Sequence, residues 1–553
     1  MSGTRASVRN YIVIGGGSAG CVIAARLSED PSATVTVLEE GPRDWSPYIR
    51  FPGTYYKTAQ GSLLKRYRWE PTPGADRTGT DTMVQASVLG GGSSVNAMVY
   101  IRGNPRDYDR WEQAGAQGWS YRDVLPFFKR SEDNEEFCNE AHAVGGPLGI
   151  ARPGYIHPLT KIWLRACQQA GFEYRSDFNG GQQEGCGIYQ LTARNGRRSS
   201  AVSAFLRPAM GRPNLQVVTG ARVTRIIVEH GRAVGVEFVR RGKAQSLRAD
   251  TEVILSAGAI NSPRLLLLSG IGPAAQLGAL NIPVQADLPG VGQNLQDHLE
   301  MSMIYELKGI DSYDKYKSMR WKPWAALQFL FGRTGPIASN LIEGGGFSRG
   351  SPTDELADIQ YFLVVGAGIE EGVDTVPSGN GCTVNFGQVR PKSRGTVSLR
   401  SADPAAPPVI APNYLSEQYD IDCLSQGLLK VQEIMRTPEI SRFIAGRHFP
   451  KQELHDRAEI AAFLRKNVHA ALHPTGTCRM GSDPLSVVDP DLRLHGVAGL
   501  RVADASVMPN IVSGNTNAAC IMIGEKAADH IRGLVPRAAP DVELKPNKHP
   551  ILL

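Results

Sequence analysis

Gly15, Gly17 and Gly20 close an apolar run, Tyr11-Ile-Val-Ile14, and lead straight into Cys21-Val-Ile-Ala-Ala-Arg-Leu27. Residues of these types at this spacing can hold a dinucleotide. Gly15 permits a tight turn, Gly17 lets a pyrophosphate approach the backbone, and Gly20 lets a helix pack closely on the strand before it. The first residues of that helix, Ser18 and Ala19, then present backbone N–H groups to the phosphates. Glu39 ends a second strand-like run, Val35-Thr-Val-Leu38. A carboxylate there can accept hydrogen bonds from ribose hydroxyls and would repel a phosphorylated ribose. The spacing alone leaves NAD and FAD both open.

This chemistry needs a strand, a glycine turn, a helix and a second strand, and the pattern from Tyr11 to Glu39 predicts them in that order. Further short strands are expected at Pro213–Val218, Ala221–Val228, Gly235–Val239 and Glu252–Ser256, as a sheet laid on the nucleotide-binding part. Between about 300 and 465, strands at Asp358–Val365 and Gly395–Leu399 alternate with helices such as Ile421–Met435, which reads as a second domain. The strand-turn Gly499–Pro509 and the helix Ala518–Ile531 are expected to return to the first domain. The fold class is therefore α/β (α+β overall): a Rossmann-like domain of residues 1–155, 213–305 and 470–540, and a discontinuous mixed-sheet substrate domain of residues 156–212 and 306–469. Residues 541–553 form a tail, and the Pro-rich end after Val535 is expected to be poorly ordered.

With 553 residues, 42% hydrophobic and 21% charged, the chain suits a soluble globular protein of more than one domain. Its 60 basic and 54 acidic residues are mixed without long blocks, which argues against a nucleic-acid partner. Met1–Asn10 lacks the apolar core of a secretory signal, and no apolar run is long enough to span a bilayer. Trp321–Phe331 is expected to form an amphipathic helix over a pocket, with contact at a membrane surface as the alternative. The eight cysteines show no C-x-x-C pair and no Cys/His cluster, so no metal site is expected and reduced thiols in a cytoplasmic setting fit best.

Four segments then carry a resemblance that spans nearly the whole chain. They are Leu89-Gly-Gly-Gly-Ser-Ser-Val-Asn96-Ala-Met-Val-Tyr100-Ile-Arg-Gly103, Gly258-Ala-Ile-Asn-Ser-Pro-Arg-Leu265 continuing to Gly272, Leu288-Pro-Gly-Val-Gly-Gln-Asn294-Leu-Gln-Asp297-His298, and the pair His473-Pro-Thr-Gly476-Thr-Cys-Arg-Met480 and Gly514-Asn515-Thr516-Asn517. The chain resembles the glucose-methanol-choline (GMC) oxidoreductases, closest in look to choline dehydrogenases and aliphatic-alcohol dehydrogenases. The resemblance implies FAD. It implies that Asn96, Ala97, Met98 and Val99 run beside the isoalloxazine, that Asp504 and Ala505 meet the pyrophosphate and ribityl chain, and that Val223 lies near the adenine. Asn517 belongs to the same cofactor-binding set. Gly90, Gly91 and Ser93 supply closely spaced N–H groups and a hydroxyl able to reach the pyrophosphate or the ring. Two departures stand out: Val84-Gln-Ala-Ser87 replaces a Pro-Arg-Gly-Lys-like run, and Val95 stands where some choline-oxidising relatives carry a histidine linked to FAD. A valine forms no such bond, so noncovalent FAD is expected.

Alcohol oxidation requires loss of the hydroxyl proton and transfer of the α-hydrogen as hydride to flavin N5. Imidazole titrates closest to working pH, which makes His473 the best candidate for the base, and Asn515 can donate an amide hydrogen to the developing alkoxide. The resemblance assigns both positions the same roles. His469 and His298 are weaker candidates, the latter as support for the cofactor fold. Glu343 stands where some choline-oxidising relatives place a carboxylate against the substrate ammonium, with a structural cap or ion pair as its alternative, and the aromatics from Tyr313 to Phe331 are candidate pocket residues. The expected reaction converts a primary alcohol to an aldehyde and passes electrons to an external acceptor, a quinone or other carrier. An O₂-using oxidase and a flavin-dependent lyase without net oxidation are the alternatives. A cytoplasmic location is expected, with peripheral contact at the inner membrane as an option.

Overall fold

A computed structural model describes residues 9–70, 82–351, 353–369, 373–534 and 539. The expected tail after Val535 lies outside these residues apart from Ala539. Strand β1 (Arg9–Ile14) turns at Gly15 into helix α1 (Ser18–Leu27), and strand β2 (Ala33–Glu39) follows. β1 and β2 pair in parallel with Ile12 opposite Thr36 and Ile14 opposite Leu38. Their buried β-branched faces suit a sheet covered on both sides.

Five parallel strands make this sheet, in the order Leu215–Thr219, β2, β1, Glu252–Leu255 and Leu500–Val502. The C-terminal end of the chain thus joins the N-terminal strand. Helix Asn517–Arg532 packs along α1 in the same direction, with Ser18 Oγ donating to Asn517 Oδ1 at 2.8 Å at one end and Arg26 paired with the buried Glu525 at 2.8 Å at the other. A Cβ on Gly524 would lie 2.8 Å from Ala19 O, so glycine sets how closely the two helices approach. Two helix N-termini therefore face the same end of the sheet.

The expected sheet over residues 213–256 divides differently. Leu215–Thr219 and Glu252–Leu255 enter the parallel sheet itself, and Ala221–Glu229, Arg232–Arg240 and Lys243–Arg248 form a separate antiparallel sheet. A seven-stranded sheet runs Ile444–Phe449, Leu299–Leu307, Gly381–Gln388, Ile359–Val364, Gly344–Ser348 and Gly185–Ile188, with His469–Ala470 beside Leu299 and Glu300. Its named pairings are all antiparallel, where a mixed sheet was expected. The boundary expected at 305 falls inside the strand Leu299–Leu307. Each sheet has its own buried apolar cluster, around Ile12, Val22, Ile254 and Met522 in one case and around Met301, Tyr361, Phe386 and Leu428 in the other.

Candidate active site

At the turn after β1, Gly15 adopts φ +96°, and a Cβ there would sit 2.3 Å from Ser256 O. Gly20 is equally constrained, since its Cβ would lie 2.0 Å from Gly15 O. These two glycines serve backbone packing, and Gly20 does not line the cavity described next. Gly17 and Gly92 behave differently. A Cβ on Gly92 would meet nothing within 4 Å, and one on Gly17 only Ser256 O at 3.9 Å, so at both places the backbone faces open space that a ligand could fill. No side chain caps the N-terminus of α1, which leaves its amide dipoles for a ligand.

A cavity of about 470 Å³ is bounded by Gly15, Gly17, Ser18, Ala19, Glu39, Gly91, Asn96, Ala97, Met98, Val99, Val223, Asp504, Ala505 and Asn517. His473 and Asn515 line the same cavity although more than 450 residues separate them from the glycine turn in sequence. Glu39 is buried. Its Oε2 accepts from Gly16 N at 2.8 Å and its Oε1 from Gly41 N at 2.8 Å, while burial raises its pKa. Each oxygen retains a second lone pair, so ribose hydroxyls can still be accepted. Asp504 caps helix Gly258–Leu268 through Gly258 N at 2.8 Å and Ser262 Oγ at 2.6 Å. The divergent segment Val84–Ser87 also lines the cavity, with Gln85 Nε2 donating to Ala257 O at 2.7 Å and Gln85 Oε1 accepting from Asn261 Nδ2 at 2.8 Å. The donor set, the glycine-lined openings and the size of the cavity fit an extended dinucleotide.

Three expected contacts differ in the structure. Ser93 Oγ donates to Gly90 O at 2.6 Å and accepts from Ala201 N at 3.0 Å, and Ser94 Oγ donates to Leu89 O at 2.8 Å. These hydroxyls shape the loop, and neither Ser93 nor Gly90 reaches the cavity. Glu343 is buried away from the cavity as well. Its Oε1 accepts from Tyr313 and from Ser339 Oγ at 2.5 Å, and its Oε2 accepts from Thr160 Oγ1 at 2.6 Å and His157 N at 2.7 Å. Four donors occupy this carboxylate, and no side remains for a substrate ammonium. The aromatics from Tyr313 to Phe331 also lie outside the lining. Besides Glu39 and Asp504, the cavity wall carries the carboxylate Glu300, whose strand position pairs with His469; Phe362 and Asn385 belong to the same lining. Sequence reasoning missed Glu300, although it lies two residues beyond His298, the end of a segment already singled out.

His473 is the centre of a hydrogen-bonded row. Its Nδ1 lies 3.0 Å from His298 Nδ1 and its Nε2 lies 3.4 Å from Asn515 Nδ2, while Asn515 Oδ1 accepts from Gln360 Nε2 at 3.2 Å. The Gln360 bond orients the Asn515 amide with its NH₂ toward His473. Burial pushes the His473 pKa down to about 4, although the ring opens on the cavity and is only half-buried by exposed surface, and it pushes His298 well below the usual value. Both rings are therefore neutral, and one proton lies between the two Nδ1 atoms. With that proton on His473, its Nε2 is bare toward Asn515 and the cavity, so the row is self-consistent as a base with a donor beside it.

Asp297 fixes the backbone of this histidine, accepting from His473 N at 2.7 Å and from Tyr414 OH at 2.7 Å. Complete burial raises its pKa to about 7. On the other side of the cavity, Arg198 donates to Asn96 Oδ1 at 2.7 Å and Ile49 O at 2.8 Å, holding the Asn96 loop, and burial lowers its pKa to about 9. Gln360 and Arg198 carry no motif by which a single sequence would reveal them, and Asp297 lies in a segment already singled out but with no role read for it. Among the described residues no cluster of His, Cys, Asp and Glu could hold a metal ion.

Two family models described as GMC oxidoreductase match residues 9–300 and 391–524. The chain is 43% identical over 546 residues to an oxygen-dependent choline dehydrogenase of Sinorhizobium medicae (strain WSM419), with 97% of both chains covered. It is 42% identical over the same length to an oxygen-dependent choline dehydrogenase of Rhizobium meliloti (strain 1021), again with 97% of both covered. Among solved structures, pyridoxine 4-oxidase from Mesorbium loti is similar with a TM-score of 0.85 at 30% identity, covering 95% of this chain and 99% of that one. A formate oxidase gives a TM-score of 0.88 at 26% identity, with 95% and 99% covered.

Proposed function

The chain belongs to the GMC oxidoreductases, FAD-dependent enzymes acting on CH–OH groups, and from that premise we propose that it oxidises a primary alcohol carrying a small cationic head group to the aldehyde. The observation that carries this reading is the neutral His473, set between His298 and Asn515 on the same cavity wall system as the carboxylate Glu300. Bound along the cavity, FAD supplies the hydride acceptor. Gly15, Gly17, Ser18, Ala19, Glu39 and Asn517 would hold its nucleotide part, Val223 its adenine end, and Asp504, Ala505 and Asn96–Val99 the parts nearer the ring. Val95 lines the cavity and has no nucleophilic atom, which supports noncovalent attachment.

The substrate hydroxyl donates to His473 Nε2 and accepts from Asn515 Nδ2, so the proton leaves for the imidazole as negative charge on oxygen is met by the amide. His298 shares the charge that develops on the imidazole by accepting the His473 Nδ1 proton, and Gln360 keeps the Asn515 amide from turning over. Glu300 and the face of Phe362 would hold the cation in a site that excludes most water. On this reading the parallel sheet carries the cofactor and the antiparallel sheet, which bears Glu300, Gln360 and Phe362, carries the substrate. Electrons then pass to an external acceptor. The relatives named as oxygen-dependent dehydrogenases favour O₂ as one acceptor, and the location expected is cytoplasmic.

Anaerobic mixing of the yellow holoenzyme with choline, and with the uncharged isostere in which carbon replaces the quaternary nitrogen, tests both parts. Choline should bleach the flavin at much lower concentration than the isostere, with an aldehyde as product. Equal potency of the two removes the cationic head group, and a flavin that no primary alcohol bleaches removes the oxidation itself.

A further inference from the structure

Helix Lys322–Gly332 turns an apolar stripe to solvent. Trp324, Leu327, Leu330 and Phe331 are 53%, 45%, 65% and 88% exposed, and Met319 just before the helix is 73% exposed. At about 100° per residue the four helical positions fall in an arc of about 120°. Ala325 and Phe329 occupy the opposite side and are buried, Phe329 edge-on to Phe51 with ring centroids 5.1 Å apart. Single exposed leucines are ordinary on a protein surface, but a continuous stripe with two aromatics marks a contact face.

The charge around the stripe has one sign. From Lys315 to Ile342 the sequence holds five basic side chains and no acidic one. Lys315 and Lys317 pair with Asp311 and Asp314, whereas Arg320, Lys322 and Arg333 pair with no carboxylate among the described residues. Arg320 rests over Trp321, 5.6 Å from its ring centroid, at the start of the helix, and Arg333 follows its last residue, 5.0 Å from the centroid of Phe329.

We infer that this face docks on an anionic phospholipid surface, with the stripe entering the boundary between headgroups and acyl chains and Arg320, Lys322 and Arg333 meeting lipid phosphates. Eleven residues of helix reach only about 16 Å, short of the roughly 30 Å of a bilayer core, so the helix lies in the interface. A second copy of the chain is the weaker occupant, because a twofold contact through this stripe would set the same basic side chains against themselves. Beyond Phe51 the chain enters helix Tyr55–Ala59, whose Tyr55 and Ala59 line the cavity. A docked lipid surface would therefore lie beside the wall of the site proposed above, although docking does not depend on that catalytic reading.

The test is co-sedimentation of the holoenzyme with vesicles of phosphatidylcholine, with and without phosphatidylglycerol. Three unpaired basic side chains at about fivefold each predict partitioning about a hundredfold stronger on the anionic vesicles, lost at high ionic strength. The double variant Leu330→Ser, Phe331→Ser should lose at least about tenfold of that binding. Its alcohol-dependent reduction of a soluble dye, measured without vesicles, should match the parent, which separates this proposal from the catalytic one. Indifference to anionic lipid, unchanged binding by the variant, or a holoenzyme dimer in sedimentation velocity that the variant splits would each overturn it.

Discussion

Replacing His473 with alanine probes the chemistry most directly. The imidazole is held neutral, with a pKa of about 4, so at pH 7 about one ring in a thousand is protonated and nearly every molecule has a base ready. A positioned general base contributes about 10²–10⁴-fold, or roughly 3–5 kcal/mol at 1.36 kcal/mol per decade. Because the ring opens on the cavity, its loss leaves a space water can enter, and the glycine turn that holds the nucleotide is untouched. The His473→Ala holoenzyme should stay yellow, and anaerobic stopped-flow should show flavin reduction slowed by about 10²–10⁴-fold. The sign of the pH dependence follows from burial. A depressed pKa keeps the base active above it, so the parent rate should be flat from about pH 6 to 9 and fall only as pH drops toward 4. Reduction within tenfold of the parent would refute the role of His473. A limb near pH 7 that survives in His473→Ala would instead point to Asp297, whose pKa burial raises to about 7.

Other substitutions divide the remaining roles. Asn515→Ala should slow flavin reduction by about 10²-fold with little change in substrate affinity, and Gln360→Leu, which frees the Asn515 amide to turn over, by about tenfold; stopped-flow traces with unaltered half-saturation check both. Glu300→Gln should raise the half-saturating concentration of a cationic alcohol by about 10–100-fold and leave the uncharged isostere almost unchanged, and a parallel loss for both would make Glu300 structural. Glu343→Gln sets an NH₂ group against donors already in place and should cost about 1–3 kcal/mol of stability in denaturant unfolding, with substrate affinity kept; a selective loss of cationic substrate would restore Glu343 to the site.

The cofactor side was legible in sequence because phosphate binding needs backbone, and backbone geometry restricts residue type. Gly15 and Gly20 have to be glycine where a Cβ would overlap a carbonyl, and such constraints leave a pattern. Ser93 shows the limit of that logic. A hydroxyl beside a glycine run looks equally able to reach a ligand or its own loop, and only the fold shows it bonded to Gly90 O and Ala201 N. Glu343 and Glu300 make the same point for charge. Each is a glutamate in or beside a strand, and what sets Glu343 apart is that the elements at 157–160, 313 and 339 bring four donors to its carboxylate, whereas Glu300 takes its place on the cavity lining.

The row Gln360, Asn515, His473 and His298 explains why the chemical residues are spread so widely. Gln360 comes from the antiparallel sheet, His298 from the segment entering it, and His473 and Asn515 from turns flanking the last strand of the parallel sheet. Each bond in the row fixes the orientation of the next group: an amide without Gln360 could present its oxygen to the imidazole, and an imidazole without His298 could carry its proton on Nε2. Either error would leave every residue in place and still remove the base. The two sheets must therefore hold a fixed relative position to within hydrogen-bond tolerance, a few tenths of an ångström. The buried Asp297, bonded to His473 N on one side and to Tyr414 on the other, ties the catalytic turn to the substrate-side elements at the point where that tolerance matters.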